Sequence, residues 1–387
     1  MKRVPIMIVG IWFLIGLCGH SWAEGIRKPA VLFLGPPVHR YSGGAYLRKN
    51  MARLDRLGYR VAYYSYTDFY KKDAGLVQSF DVVVMLEVPG IDWSGTKELW
   101  PDTVKLYDSI RKHLAAGGGL MVFNASQIWG MKAFDALMRP YGIRPLTGCL
   151  VDENPTLTTH GVLLCAYSTE IARHPLSQET RGLWYPVGQR AGGVTNFDTL
   201  RNANTAPFDV DKTWKILAAA STTTSFKDFG ADQGAEDPWL QQERFTQLKT
   251  QPAPLVAVRE KVEGKGRLAA CAINAVLSDF YAGNLAYNGL CTGRGVEGKR
   301  SYLDRLLMNV LDWLGEGSMA AGRATVKESN RESFALPPFK FTEPRRVTDG
   351  RPLRPITDQF RGIIGVRSRY SGGKSTVREY AEAARAL

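Results

Sequence analysis

The sequence predicts an α/β protein built on a doubly wound, mostly parallel sheet, followed by a long linker and a short C-terminal β-α fragment. Three observations predict it. Short, nearly uninterrupted apolar runs recur at 29–35, 80–86, 120–123 and 268–273, as expected of strands covered on both faces. Segments of helical length, with apolar residues at helical spacing, separate several of them. Strands and helices alternating in this way imply right-handed βαβ crossovers and hence parallel neighbours. The 387 residues are 44% hydrophobic and 22% charged, a composition that supports a buried core and argues against disorder.

In chain order, 29–35 is the first strand, followed by a loop through Pro36, Pro37 and 41–44. A helix over 45–57 turns Leu47, Met51, Leu54 and Leu57 inward, and Gly58 stops it. Strands follow at 59–64 and 80–86, the latter with Glu87 at its carboxyl end. A helix over 103–116 has Val104, Leu106, Ile110 and Leu114 as its inner face. Gly117–Gly119 turn the chain into a strand at 120–123, and 130–141 is helical. Beyond Cys149 the pattern loosens. Strands are expected at 161–166, 182–186 and 214–220, a polar surface excursion with a short helix at 222–254, and a hairpin at 255–273. A loop then leads to an amphipathic helix at 301–314 ending at Gly315. The domain spans 28–316. Residues 317–359, with Pro337, Pro338, Pro344, Pro352 and Pro355, form a linker. Residues 360–387 read as a strand, a glycine turn at 371–373 and the start of a helix, too little to bury a core alone.

Lys2 and Arg3, the uncharged apolar run 6–18 and Ser21-Trp22-Ala23 form a signal peptide over 1–23, cleaved after Ala23. The expected destination is export to the periplasm or outside the cell. An uncleaved anchor ranks second, and is the one route to membrane association. A lipoprotein through Cys18 ranks third, because Leu17 is bulky. The net charge of +13 falls by two, to +11, when the leader is lost. Basic residues are scattered except around Arg345, Arg346, Arg351 and Arg354, so solvated charge is the expectation and nucleic acid is not a partner. Cys149, Cys165, Cys271 and Cys291 remain. No Cys-x-x-Cys spacing points to zinc or a redox motif. Cys165 and Cys271 lie in apolar runs and read as buried thiols, whereas Cys149 and Cys291 lie near turns and are the better disulfide candidates.

Ligands of open α/β sheets bind beyond the carboxyl ends of strands. The residues there are His39, Tyr41, Glu87, Asn124, Ser126, Trp129 and Asn274, the candidate ligand-binding set. Glu87, Asp279 and His39 are the candidates for acid–base catalysis, against helix capping or ion pairing as the commoner role of such carboxylates. Ser126 lacks the glycines of a nucleophile elbow and reads as a helix N-cap. His160 and His174 share no metal-ligand spacing with His39, and His174 before Pro175 serves a turn. His113 is a cation at the end of its helix, suited to the dipole. The Gly117–Gly119 run precedes a strand, whereas phosphate loops follow one. Trp93, Trp100, Trp129, Tyr41 and Trp184 suit stacking on a sugar ring, with core or lid packing as the commoner role. No cofactor and no metal are expected.

The run 80–84 (Phe-Asp-Val-Val-Val), the turn and strand 116–123, His174-Pro-Leu, the segment 264–270 and the closing helix with 306–314 together resemble the class I glutamine amidotransferase-like superfamily, in its non-amidotransferase, trehalose-utilisation-like branch. The resemblance covers roughly 28 to 316 and implies a flavodoxin-like sheet. It also implies a nucleophilic Cys after the strand 120–123 and a His-Glu pair after a late strand. Asn124 stands at the first position, and Asn274 and Ala275 follow 268–273. Amidotransfer is therefore not expected. The tail 360–387 resembles the opening of a polymerase and histidinol phosphatase (PHP) domain, truncated. Arg367 and Arg369 occupy its two metal-binding His positions, and a guanidinium offers a metal no lone pair.

The functional expectation is an exported, non-catalytic domain binding a small polar ligand, with carbohydrate as the suggested class. The alternatives are a hydrolase or carbohydrate-processing enzyme using strand-end carboxylates, and an interaction scaffold acting through the basic tail.

Overall fold

A computed structural model describes residues 27–35, 44–72, 74–86, 99–123, 128–146, 148–157, 164–189, 205–228, 250–273 and 290–335. The chain divides after Leu336 into two units, and every described residue belongs to the first. The PHP-like segment, Arg367 and Arg369, and the leader lie outside the described residues.

The first strands follow their sequence closely. β1 (Ala30–Gly35) is buried at every position, and each large apolar side chain there contributes about 1.5–3 kcal/mol. β2 is Arg60–Ser65, β3 Val82–Leu86 and β4 Gly119–Phe123. α1 (Gly44–Arg56) joins the first two. A short helix, α2 (Tyr66–Phe69), follows β2, and α3 (Pro101–Ala115) precedes β4. Proline at the first turn of α3 costs no backbone hydrogen bond. α4 is Ile128–Met138.

Between Ile143 and Asp228 the chain forms small sheets, of which the sequence predicts the strands at 161–166 and 182–186 but not the others. They comprise β5 (Ile143–Pro145), β6 (Gly148–Asp152), β7 (Thr156–Leu157), β8 (Leu164–Ser168), β9 (Leu183–Pro186), β10 (Gly188–Gln189), β11 (Phe208–Val210) and β13 (Thr224–Asp228). Strands this short carry too few residues for an alternating pattern. β6 pairs with β10 and β13, β8 with β7 and β9, and β5 with β11. Buried Asp152 ties one sheet down by accepting the Thr223 and Thr224 hydroxyls, both at 2.8 Å, and the Asn154 amide.

β12 (Lys215–Ala219), β14 (Pro254–Val262) and β15 (Gly266–Cys271) complete a seven-stranded sheet in the order β12-β14-β15-β4-β3-β1-β2. The five strands β2, β1, β3, β4 and β15 are mutually parallel, and β14 runs antiparallel. In chain order these five read 2-1-3-4-5, the flavodoxin-like arrangement. α5 (Leu303–Ala320) packs on the face of β4 that carries Gly119, and α3 on the opposite face.

Four expectations are corrected. α5 does not stop at Gly315; a Cβ there would meet Pro29 at 2.6 Å, so this glycine permits close packing within the helix. Val104 and Leu57 are 44% and 43% exposed, so neither belongs to an inner face. The chain after α5 stays with the first unit through Leu336 instead of leaving it at 316. There, Ser329 and Ser333 hydroxyls accept the Val61 and Tyr63 amides at 2.9 and 3.0 Å, covering the outer edge of β2. Finally, His113 is not a solvent-facing helix cation. It is 1% exposed, and its pKa is pushed down to about 4, chiefly by burial.

The glycine run explains His113. Gly117 has φ +94, a left-handed turn conformation. A Cβ on Gly118 would overlap the His113 ring, and one on Gly119 would sit 2.6 Å from the Leu314 carbonyl. The run is therefore a turn and two close approaches, not a simple helix stop.

Candidate functional site

In a 2-1-3-4-5 sheet the crossovers change direction between β1 and β3, opening a crevice beyond their carboxyl ends. The described residues at that end are Gly35, Ser65, Leu86 and Phe123, with Cys271 and Ile273 beside them. β1 and β2 are in register Gly35↔Ser65, and β4 and β15 in register Phe123↔Cys271. Tyr66 closes part of this end by donating its hydroxyl to the Leu86 carbonyl at 3.4 Å. Of the sequence-predicted site residues, His39, Tyr41, Glu87, Asn124, Ser126, Asn274 and Asp279 lie outside the described residues, as does His160. Trp129 belongs to α4 by its backbone.

Cys271 at this end, and the described candidates His174 and Trp184 elsewhere, are committed to structure. The Cys271 thiol is fully buried and its pKa is pushed up to about 12 by burial. It stays protonated at neutral pH and cannot serve as a nucleophile. His174 caps the turn Pro175–Ser177, its Nδ1 accepting the Leu176 amide at 3.3 Å. Burial lowers its pKa. Trp184 is buried, donates its indole N–H to the Lys299 carbonyl at 2.7 Å and packs against Tyr167. It is a core residue rather than a ligand platform. Cys291, expected near a turn and available to Cys149, is a buried free thiol. Among the described residues no cluster of His, Cys, Asp and Glu could hold a metal ion.

Among the described residues, two cavities lie beside this crevice. One lies under α1 and α5 against Phe33, Val84, Met121 and Phe123, with an Arg53–Asp304 ion pair of 3.3 Å at its edge. Its volume of about 70 Å³ and apolar lining fall below the roughly 150 Å³ at which an apolar cavity accepts benzene. The other is a polar groove of about 540 Å³ past the end of β2, lined by Arg48, Tyr63, Tyr64, Ser65, Asp68, Lys71, Lys72 and Ser333. That size matches small-molecule sites.

Local sequence builds the groove. Ser65 Oγ accepts the Asp68 amide at 3.0 Å and donates to the Asp68 carboxylate at 2.7 Å, capping α2. The Ser65 hydroxyl, then Lys71 at 3.2 Å, holds Asp68 below the usual carboxylate range. Arg48 donates to the Ala335 carbonyl at 2.8 Å, fixing the opposite wall. Sequence reading missed this groove, although the Ser-x-x-Asp pattern at 65–68 was there to mark a cap.

No protein-family model matches the chain, and no curated protein matches it. Solved structures do. The mmIFT52 N-terminal domain aligns at 13% identity with TM-score 0.45, covering 74% of this chain and 98% of that one. A ThuA-like protein from Bacteroides uniformis aligns at 12% identity with TM-score 0.40, covering 76% and 95%. A ThuA-like protein from Parabacteroides merdae aligns at 12% identity with TM-score 0.38, covering 75% and 91%. At these scores the neighbours carry no functional argument. The chain's own strand order makes it a mixed α/β protein with a mostly parallel, flavodoxin-like central sheet.

Proposed function

We propose that this chain is an exported binding domain that takes a small polar ligand, carbohydrate in class, and does not perform amidotransfer. The observation that carries the binding reading is the polar groove past β2, beside the β1–β3 crevice. Asp68 offers acceptors, Arg48, Lys71 and Lys72 offer donors, and Tyr64 offers an aromatic face, a set that suits a polyhydroxylated ligand. The strand-end residues His39, Tyr41, Glu87, Asn124 and Trp129 add the same chemistry in sequence. The neighbouring strands β4 and β15 are followed by Asn124 and Asn274. Neither carboxamide is a nucleophile or a base, so the acyl-transfer chemistry implied by the resemblance lacks its reacting groups. The leader supports export. Calorimetric titration of the full chain with glucose, maltose and trehalose tests the reading. Saturable binding of one of these sugars, weakened about tenfold or more by Lys72→Ala or Trp129→Ala, is expected. Absence of binding to all three, or binding unaffected by both substitutions, would contradict it.

A further inference from the structure

The polar groove past β2 carries an imbalance of charge. Its lining includes three cations, Arg48 of α1 with Lys71 and Lys72 just after α2, and one carboxylate, Asp68 of α2. That carboxylate is already engaged on both oxygens. Asp68 Oδ2 accepts the Ser65 hydroxyl at 2.7 Å, and Oδ1 accepts Lys71 Nζ at 3.2 Å. Arg48 and Lys72 have no ion-pair partner among the described residues. Arg48 donates to the Ala335 carbonyl at 2.8 Å, a neutral acceptor that leaves its charge unmatched. Lys72 is exposed, and its main-chain amide donates to the Phe69 carbonyl at 2.8 Å, which fixes the root of its side chain at the groove. The rest of the lining is held by the chain after α5. Ser333 accepts the Tyr63 amide at 3.0 Å, and the Tyr64 hydroxyl accepts the Asn330 side-chain amide at 3.4 Å.

Two unmatched cations in one groove sort ligands by charge. A neutral polyol offers them only hydroxyl oxygens. A carboxylate or phosphate makes charge-assisted hydrogen bonds, roughly twice as strong. A volume of about 540 Å³ has room for a monosaccharide bearing such a group. We propose that the groove selects an anionic sugar, whose carboxylate or phosphate is bound by Arg48 and Lys72. This inference rests on the ligand reading above and narrows it from polar to acidic carbohydrate. Tyr64 and the remaining lone pairs of Asp68 take the ring and its hydroxyls. Lys71, held only by an exposed ion pair, is free to turn toward the anion at little cost.

The test is calorimetric titration of the full chain with glucose, glucuronate and glucose 6-phosphate, at low and at high salt. Glucuronate or glucose 6-phosphate should bind about tenfold or more tightly than glucose, and the one that does identifies the anionic group. That advantage should shrink as salt rises. Lys72→Gln and Arg48→Gln should each reduce the ratio of anionic to neutral affinity by about threefold or more. Lys72 is exposed, so its variant decides even if the Arg48 variant loosens the chain that covers β2. Binding of a neutral sugar, with neither anion bound more tightly, would overturn this inference and leave the ligand reading standing. An anionic advantage untouched by both substitutions would also overturn it, since the anion would then bind elsewhere. Binding of no sugar, neutral or anionic, would overturn both.

Discussion

The two ends of the parallel sheet use polar residues in opposite ways. At the amino ends of the strands, Asp81 is fully buried. It accepts the Ala30 amide at 2.8 Å, the Ser318 hydroxyl at 2.7 Å and the Arg60 guanidinium at 3.3 Å, and its carbonyl accepts the Gly119 amide. One carboxylate thereby joins β1, β2 and α5, while its backbone joins β4. His113 and Gly118 interlock nearby. At the carboxyl ends the described strand residues are largely apolar or glycine, and the polar groups come mainly from α1, α2 and the residues just after α2, around an open groove. The amino end spends its polar groups on holding strands together. The carboxyl end leaves them facing solvent, where a ligand can reach them.

The sharpest way to break this contrast is Asp81→Ala. It strands the Arg60 cation, the Ser318 hydroxyl and the Ala30 amide together, and should cost about 3–5 kcal/mol in urea unfolding. An effect below 1 kcal/mol would mean the network is not structural.

His113 provides the next largest effect. Burial outweighs the Gly119 carbonyl, which Nε2 approaches at 3.3 Å, while Arg323 lowers and Asp81 raises the pKa by less. Its Nδ1 has no hydrogen-bond partner among the described residues. With a folded pKa of about 4 against an ordinary 6.5, the unfolded chain takes up a proton first as pH falls. The stabilising contribution is complete above pH 6.5 and is lost toward pH 4, up to about 3 kcal/mol. His113→Gln should flatten that part of the stability–pH curve, as measured by denaturant titration at a series of pH values.

Gly118→Ala should cost about 1–3 kcal/mol by driving a methyl into the His113 ring. Combining it with His113→Ala should cost less than the sum of the two single changes, because the clash partner is gone. At the other end, Lys72→Ala should change stability by no more than about 0.5 kcal/mol, since its side chain only lines the groove. A large loss there would erase the distinction between the two ends.

The same contrast shows what was legible in the sequence. β1, β3, β4 and the β14–β15 hairpin stand out because strands buried on both faces leave long apolar runs. Of the short strands between Ile143 and Asp228, β8 and β9 are legible as expected strands, whereas β5, β6, β7, β10, β11 and β13 are not, because partners such as Thr156 of β7 meet Cys165 through tertiary contact rather than periodic pattern. His113 and Gly315 obey helix-end rules by position, yet burial against Gly118 and Pro29 decides their roles. The end of the sheet to search is legible through the strand-end rule. The groove is not, because Arg48, Asp68 and Ser333 are distant in sequence and meet only through β2 and the chain that covers its edge.

The chain has a flavodoxin-like sheet with Asn124 and Asn274 following β4 and β15 in sequence, and the proposal that it does not perform amidotransfer is open to a direct test. The most direct measurement is ammonia release from glutamine by the purified full chain, followed with an enzyme-coupled assay. The expected rate equals that of buffer alone and is unchanged by Asn124→Ala. Release above buffer that Asn124→Ala abolishes would contradict it.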